Sequence, residues 1–276
     1  MKLKSFILLG LIPTFIFTAL FISCSSEEQN NISSETLKKY ANIHNSGLDY
    51  IKSDVQRTQN ICTPKYLNEV LEKYTSSIYS KEDVHKIMQE IALDKKLVFN
   101  GHIPSLAQTR SSISTNIAIE ACNECMDKIK NHLNAFKDDE IFDNKYLLED
   151  LHVIINKVYD LYIQKCNSDI EKQTLAQSLG VLYGSIGYWS NSENVESWSK
   201  IEIEKTTEYS SNNIRIIKDG KQKKKSEEKK EKLSKKEYLE AVAAADVAGS
   251  FLGAAIASGP AAVAASAAAA LYFDVN

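Results

Sequence analysis

The chain contains few residues that interrupt helices. Only 10 Gly and 4 Pro occur in 276 residues, and no long stretch alternates apolar and polar residues as a half-buried strand does. Instead, apolar residues recur at spacings of three and four and line one helix face, as in Leu147, Leu151, Ile154, Val158 and Leu161. This pattern predicts an all-α protein whose amphipathic helices pack as a helical bundle with short loops.

Cap residues mark several of the predicted helix starts. Thr63 precedes Pro64, which places a hydroxyl at the N-cap and Pro at the first helical position. Ser80 and Ser168 each stand three residues before an acid, as in a capping box. The α-helical domain is expected to cover 34–206, with helices near 34–59, 64–78, 81–98, 104–136, 144–166, 169–189 and 193–206.

The first 24 residues have the order of a secretory leader. Lys2 and Lys4 give a positive start, residues 6–22 are uncharged, and Ser23 precedes Cys24. A Cys after a small residue at the end of an apolar run resembles the lipobox of bacterial lipoproteins. The resemblance implies that 1–23 is a signal peptide and that Cys24 carries lipid. An uncleaved anchor is the alternative, but about 17 apolar residues are at the lower limit for spanning a bilayer.

The polar residues after Cys24 predict a short tether, 24–33. Its acidic residues, Glu27 and Glu28, resemble the surface-export signals of lipoproteins in Bacteroidetes-type bacteria. We therefore expect a lipid-anchored protein of the bacterial cell envelope, at the outer membrane and facing either the periplasm or the exterior. Membrane lipid is the expected partner, and the covalent lipid on Cys24 takes the place of a cofactor.

Two further stretches resemble a family. Residues 44–51, HNSGLDYI, resemble an HNxGLDYI element of uncharacterised helical lipoproteins of Bacteroidetes-type bacteria. Tyr183–Trp189, followed by Trp198, and the small-residue segment 241–273 resemble later parts of the same group. The resemblance implies a helical fold and an envelope location, and it implies no reaction. For His44 and Asn45 we expect hydrogen bonds to a neighbouring helix or its cap rather than a ligand-binding role.

Four cysteines remain beside Cys24: Cys62, Cys122, Cys125 and Cys166. They allow buried thiols, one or two disulfides in an exported protein, or a metal site. The pair Cys122 and Cys125 lies inside a helical pattern, unlike a thioredoxin-type motif at a helix start. His132 cannot complete a metal site with this pair, because seven helical residues separate it from Cys125 by about 10 Å. The alternatives stay open.

The remaining searches assign no catalytic residues. The chain has no P-loop, HExxH, GxSxG or dinucleotide-binding glycine motif, and we therefore expect no enzymatic activity. The formal net charge is -3, and loss of Lys2 and Lys4 with the leader makes it about -5. A mildly acidic protein gives no reason to expect a nucleic-acid partner.

The C-terminal region differs in composition from the rest. A charged linker, 207–237, precedes an Ala/Gly-rich apolar tail, 238–276, in which Asp246 is the only charge between residues 241 and 273. Small residues recur at Gly249, Gly253 and Ala257, which resembles a glycine zipper and permits close helix packing. Because Pro260 should interrupt the helix, we expect helices near 238–258 and 261–273, as a kinked rod or a hairpin separate from the bundle.

This tail allows several roles. It would insert into or lie on a membrane, self-associate, pack against its own domain, or remain disordered. The leading hypothesis is an envelope-anchored, non-catalytic interaction or membrane-associating protein. One alternative is a bacteriocin-like membrane-active toxin that acts through the tail. The other is a metal-binding or enzymatic periplasmic protein that uses Cys122 and Cys125.

Overall fold

Helices dominate the structure, a computed structural model that describes residues 34–57, 61–62, 64–93, 116–203, 231–251 and 258–275. The helices are α1 (34–56), α2 (Pro64–Ser76), α3 (Lys81–Leu93), α4 (Asn116–Leu133), α5 (Lys145–Ile163), α6 (Asp169–Trp189), α7 (Ser192–Ser199), α8 (Lys235–Phe251) and α9 (Ser258–Tyr272). Four short strands accompany them: β1 (Ile61–Cys62), β2 (Glu202–Ile203), β3 (Glu231–Leu233) and β4 (Phe273–Val275). The predicted all-α helical bundle is confirmed.

The predicted helix ends agree most closely with the structure where a capping residue defines them. Helix α6 has both predicted ends, and its start is a capping box in which the Ser168 hydroxyl accepts from the Glu171 N–H and the Glu171 carboxylate accepts from the Ser168 N–H. The prediction that helix α7 extends to residue 206 is wrong. The helix ends at Ser199, because β2 pairs in parallel with the distant strand β1. The predicted stretch 104–115 lies outside the described residues.

Helices α1 and α6 run in parallel in close contact. A Cβ on Gly180 would lie 2.9 Å from the Leu37 carbonyl oxygen, and a Cβ on Gly184 would lie 2.8 Å from the Ala41 Cα. Helix α5 returns antiparallel to α6, and the His152 ring stacks on that of Tyr183 at 3.6 Å. Helices α4 and α5 also pack together. The first described helix is therefore part of the core of the bundle.

The C-terminal helices occupy the interior of this bundle. Helix α8 packs on α4, α6 and α9, and α9 also contacts α2, α3, α6 and α7. Every side chain from Ala261 to Leu271 is at most 6% exposed. Among the helices that the structure describes, none has the length and apolar character needed to cross a bilayer.

The predicted helical pair is thus present, but it lies within the bundle rather than apart from it. A helix that is apolar on all sides has no face suited to water, and its small side chains let several helices approach it closely. Pro260 also acts differently from the prediction. It lies in the first turn of α9, where the missing N–H costs nothing, so the helix begins at Ser258 instead of 261.

The end of the predicted linker belongs to the folded domain. Strand β3 pairs in parallel with β4, with Glu231 opposite Phe273. Helix α8 then begins at Lys235, where the Asp138 carboxylate accepts from the backbone N–H groups of Lys235 and Lys236 at 3.1 Å each. A carboxylate at a helix N-terminus is favourable because the exposed N–H groups carry partial positive charge. Residues 204–230 lie outside the described part.

Candidate functional site

A buried ion pair joins α1 to α8. The His44 Nε2 atom lies 3.3 Å from the Asp246 Oδ2 atom, and both side chains are fully buried. On the other side of the ring, His44 Nδ1 lies 2.9 Å from the Asn45 Oδ1 atom. Helices α1 and α8 are therefore joined in the middle of an apolar core by an imidazole and a carboxylate, which attract each other when the imidazole is protonated.

Two opposing effects act on the pKa of His44 in this pair. Burial is the largest single effect and opposes a charge on the imidazole. The Asp246 carboxylate and the Asn45 side chain together outweigh burial, so the pKa of His44 is raised above its ordinary value of 6.5. The contact between His44 Nε2 and Asp246 Oδ2 does not have the angles of a hydrogen bond. Among the described residues, neither His44 Nε2 nor either carboxylate oxygen of Asp246 has a directed hydrogen bond. The pair is thus held by charge attraction and by the surrounding packing.

The sequence contained half of this arrangement. The expected hydrogen bonds of His44 and Asn45 to a neighbouring helix are not found among the described contacts, because these two side chains pair with each other on α1. His44 does contact a neighbouring helix, but through the Asp246 carboxylate, which was not identified as its partner. Asp246 is the single charge in the apolar segment 241–273. A charge buried in such a segment needs a partner of opposite charge, and this requirement is the signal that would have pointed to a buried cation elsewhere in the chain.

Glycines bring the apolar helices close together around the pair. A Cβ on Gly249 of α8 would lie 2.7 Å from the Ala265 Cβ and 2.8 Å from the Ala261 carbonyl oxygen of α9. A Cβ on Gly47 of α1 would lie 2.7 Å from a Val263 methyl group. Gly249 thus makes the close helix contact that the small-residue pattern predicts, within the same chain. Gly253 and Ala257 lie outside the described residues.

The aromatic helix end forms a second buried group. Trp189 donates from Nε1 to the Ser266 hydroxyl at 3.1 Å, and Trp198 donates from Nε1 to the Tyr188 hydroxyl at 3.2 Å. The Tyr188 hydroxyl in turn donates to the Asp49 carboxylate at 2.9 Å. These side chains tie α6, α7 and α9 to α1, and they are core residues with satisfied polar atoms.

Three of the predicted cysteines are buried free thiols: Cys122, Cys125 and Cys166. Burial raises the pKa of Cys122, with a further contribution from Cys125, and it raises the pKa of Cys125 to about 12. Burial likewise raises the pKa of Cys166. The side chain of Cys62 and the whole of Cys24 lie outside the description. Disulfides among the three described cysteines are absent.

These thiols should react only after unfolding. A pKa near 12 lowers the thiolate fraction of Cys125 roughly a thousandfold at neutral pH, and the thiolate is the reactive form. In a Cys24→Ser/Cys62→Ser protein, iodoacetamide should label none of the three in the native state and all of them in denaturant without reductant. A lower count in the unfolded, unreduced protein would indicate a disulfide and contradict the buried-thiol arrangement.

The described residues provide no set of ligands for the hypothesised metal site. No group of three or more His, Cys, Asp or Glu side chains with metal-binding geometry occurs there. His132, which the helix geometry had separated from Cys125, lies 3.3 Å from the Asp150 carboxylate instead. Comparison with known proteins yields no match to any protein-family model, curated protein or solved structure.

Proposed function

We propose that this protein is an envelope lipoprotein whose helical bundle acts, without catalysis, as an interaction domain at the membrane to which Cys24 anchors it. The supporting observation is the position of α1. This helix begins ten residues after Cys24 and is built into the core through the pairing of His44 with Asp246. A lipid on Cys24 would therefore hold the whole bundle.

The length of the tether supports a location at the membrane surface. Ten residues reach at most about 35 Å when fully extended. Several acyl chains on one Cys would make the anchoring firm, since each buried methylene contributes about 0.8 kcal/mol. The start of α1 would thus remain within about 35 Å of the bilayer surface, where the bundle would meet envelope partners.

Burial of α8 and α9 favours a single anchor over a second, C-terminal one. For the bacteriocin-like alternative, this helix pair would first have to leave the core. That step would separate Asp246 from His44 and expose the apolar faces that enclose α9. The alternative that uses Cys122 and Cys125 requires thiolates, and the raised pKa of both thiols disfavours them.

Substitution of the lipidation site tests the proposal. Cys24→Ser should abolish labelling by an alkyne-bearing fatty acid and leave a larger precursor that retains its leader. Cys62→Ser is the matched control, because it removes a thiol that the lipobox does not contain and should leave labelling and processing unchanged. Equal labelling of wild type and Cys24→Ser would show that the anchor is wrongly assigned.

A further inference from the structure

The helix directions define one end of the bundle that would face the anchor. Leu37 and Ala41 of α1 lie beside Gly180 and Gly184 of α6, so both helices begin at the same end. Helix α5 is antiparallel to α6 and ends there at Ile163. We call this the tether end, defined by the starts of α1 and α6 and the last turn of α5.

Helix α6 extends beyond the start of α1 at this end. Asp169 lies eleven residues before Gly180, whereas residue 34 lies three residues before Leu37. At about 1.5 Å per residue, the start of α6 projects roughly 12 Å further than the described start of α1. With the tether end facing the membrane, the corner between α5 and α6 would therefore be the part of this end nearest the bilayer.

This corner exposes two large aliphatic side chains. Leu161, in the last turn of α5, is 51% exposed, and Ile170, in the first turn of α6, is 58% exposed. Charges of both signs surround them, with Lys172 near Asp169 at 3.9 Å and Lys165 over the Tyr162 ring. Residues 160–172 contain the acids Asp160, Asp169 and Glu171 and the bases Lys165 and Lys172, so the corner has a formal excess of one negative charge. Its two exposed aliphatic side chains are the groups that a membrane contact would use.

From this arrangement we infer that the tether end docks on the membrane surface, with Leu161 and Ile170 entering the boundary between headgroups and acyl chains. The inference rests on the proposed lipid at Cys24. The anchor keeps the corner close to the bilayer and so raises its effective concentration there. Two aliphatic side chains can therefore maintain a membrane contact that would be too weak without the anchor. Docking would then fix the orientation of the bundle, with the α6–α7 end directed away from the membrane.

Spin labels provide the test. The full-length lipidated protein carrying Cys62→Ser is purified and reconstituted into phosphatidylethanolamine–phosphatidylglycerol vesicles, with one nitroxide attached at Leu161→Cys or Ile170→Cys. The matched control is Val153→Cys. Val153 lies on the same helix at 47% exposure and about 12 Å further from the tether end. The parent protein without an added Cys should take up no label, because its other thiols are buried.

Relaxation by oxygen and by a water-soluble nickel complex reports the depth of each label. We expect the oxygen-to-nickel accessibility ratio to be several-fold higher at 161 and 170 than at 153. Equal, water-like ratios at all three sites in protein that floats with the vesicles would overturn docking while leaving the anchor intact. Labels shielded from both reagents would indicate contact with a second copy and would also overturn it. Protein that fails to float would refute the anchor, and docking with it.

Discussion

Gly249→Ala should lower the free energy of unfolding by about 1–3 kcal/mol, the usual cost of overpacking a core. The added methyl group would lie 2.7 Å from the Ala265 Cβ and 2.8 Å from the Ala262 Cα. Because one of these atoms is backbone, α9 must move away from α8 to accommodate it. Urea denaturation of the purified protein measures the change, and Gly249→Leu should show a larger loss or fail to fold.

The control for this prediction is Gly187→Ala in α6. Both glycines lie within helices, and alanine is the better helix former by roughly 0.5–1 kcal/mol. A Cβ on Gly187 would meet only the His152 ring, at 3.7 Å, an ordinary contact distance. Gly187→Ala should therefore leave the stability unchanged or raise it. If both substitutions raised the stability, the close packing of α8 on α9 would be refuted.

Removal of one partner from the buried ion pair should have the largest effect. His44→Leu leaves the Asp246 carboxylate buried without a counter-charge, which should cost about 3–5 kcal/mol. Asp246→Ala leaves a neutral imidazole whose Nε2 atom lacks a partner, while Nδ1 keeps Asn45, at a cost of about 1–3 kcal/mol. The double variant buries no charge, so it should be more stable than His44→Leu alone. Four urea denaturation curves form the cycle, and strictly additive losses would show that the two side chains do not interact.

The same pair predicts a pH dependence of stability. Since Asp246 raises the pKa of His44 above 6.5 in the folded state, the protonated imidazole stabilises the fold fully below that pH. The contribution is lost as the pH rises through the raised value. Between about pH 6 and about pH 9, the unfolding free energy of the wild type should fall more than that of Asp246→Ala. Parallel pH profiles would contradict this assignment.

Local signals in the sequence predicted where the helices begin and end better than which helices pack against one another. The two ends of α6 followed from Ser168 and from the apolar pattern, because caps act within a few residues. The end of α7 could not be predicted in this way, since the pairing of β1 with β2 joins distant segments. Likewise, the composition of 241–273 predicted two apolar helices. Their position in the core could not be predicted, because it depends on which other helices have apolar faces that pack against them.

The partner of His44 illustrates the same limit. One sequence shows that His44 and Asp246 each stand in an apolar surrounding, but their contact depends on the packing of α1 against α8. The thiols of Cys122 and Cys125 gave a similar ambiguity, because a disulfide, a metal site and a buried pair share the same spacing. The last of these is distinguished because both side chains are buried free thiols and no metal-binding group occurs in the part of the chain that the structure describes.

The contacts of α1 with α8 and α9 affect when the domain can fold during its synthesis. Helix α1 leaves the ribosome early, yet its buried neighbours include Asp246 and Val263, which are synthesised near the end. Contacts so distant in sequence form late and slowly. The core around His44 therefore closes only after α8 and α9 have been synthesised. A polypeptide arrested on the ribosome before Lys235 lacks both the partner of His44 and the side chain that packs on Gly47, so it cannot complete this core.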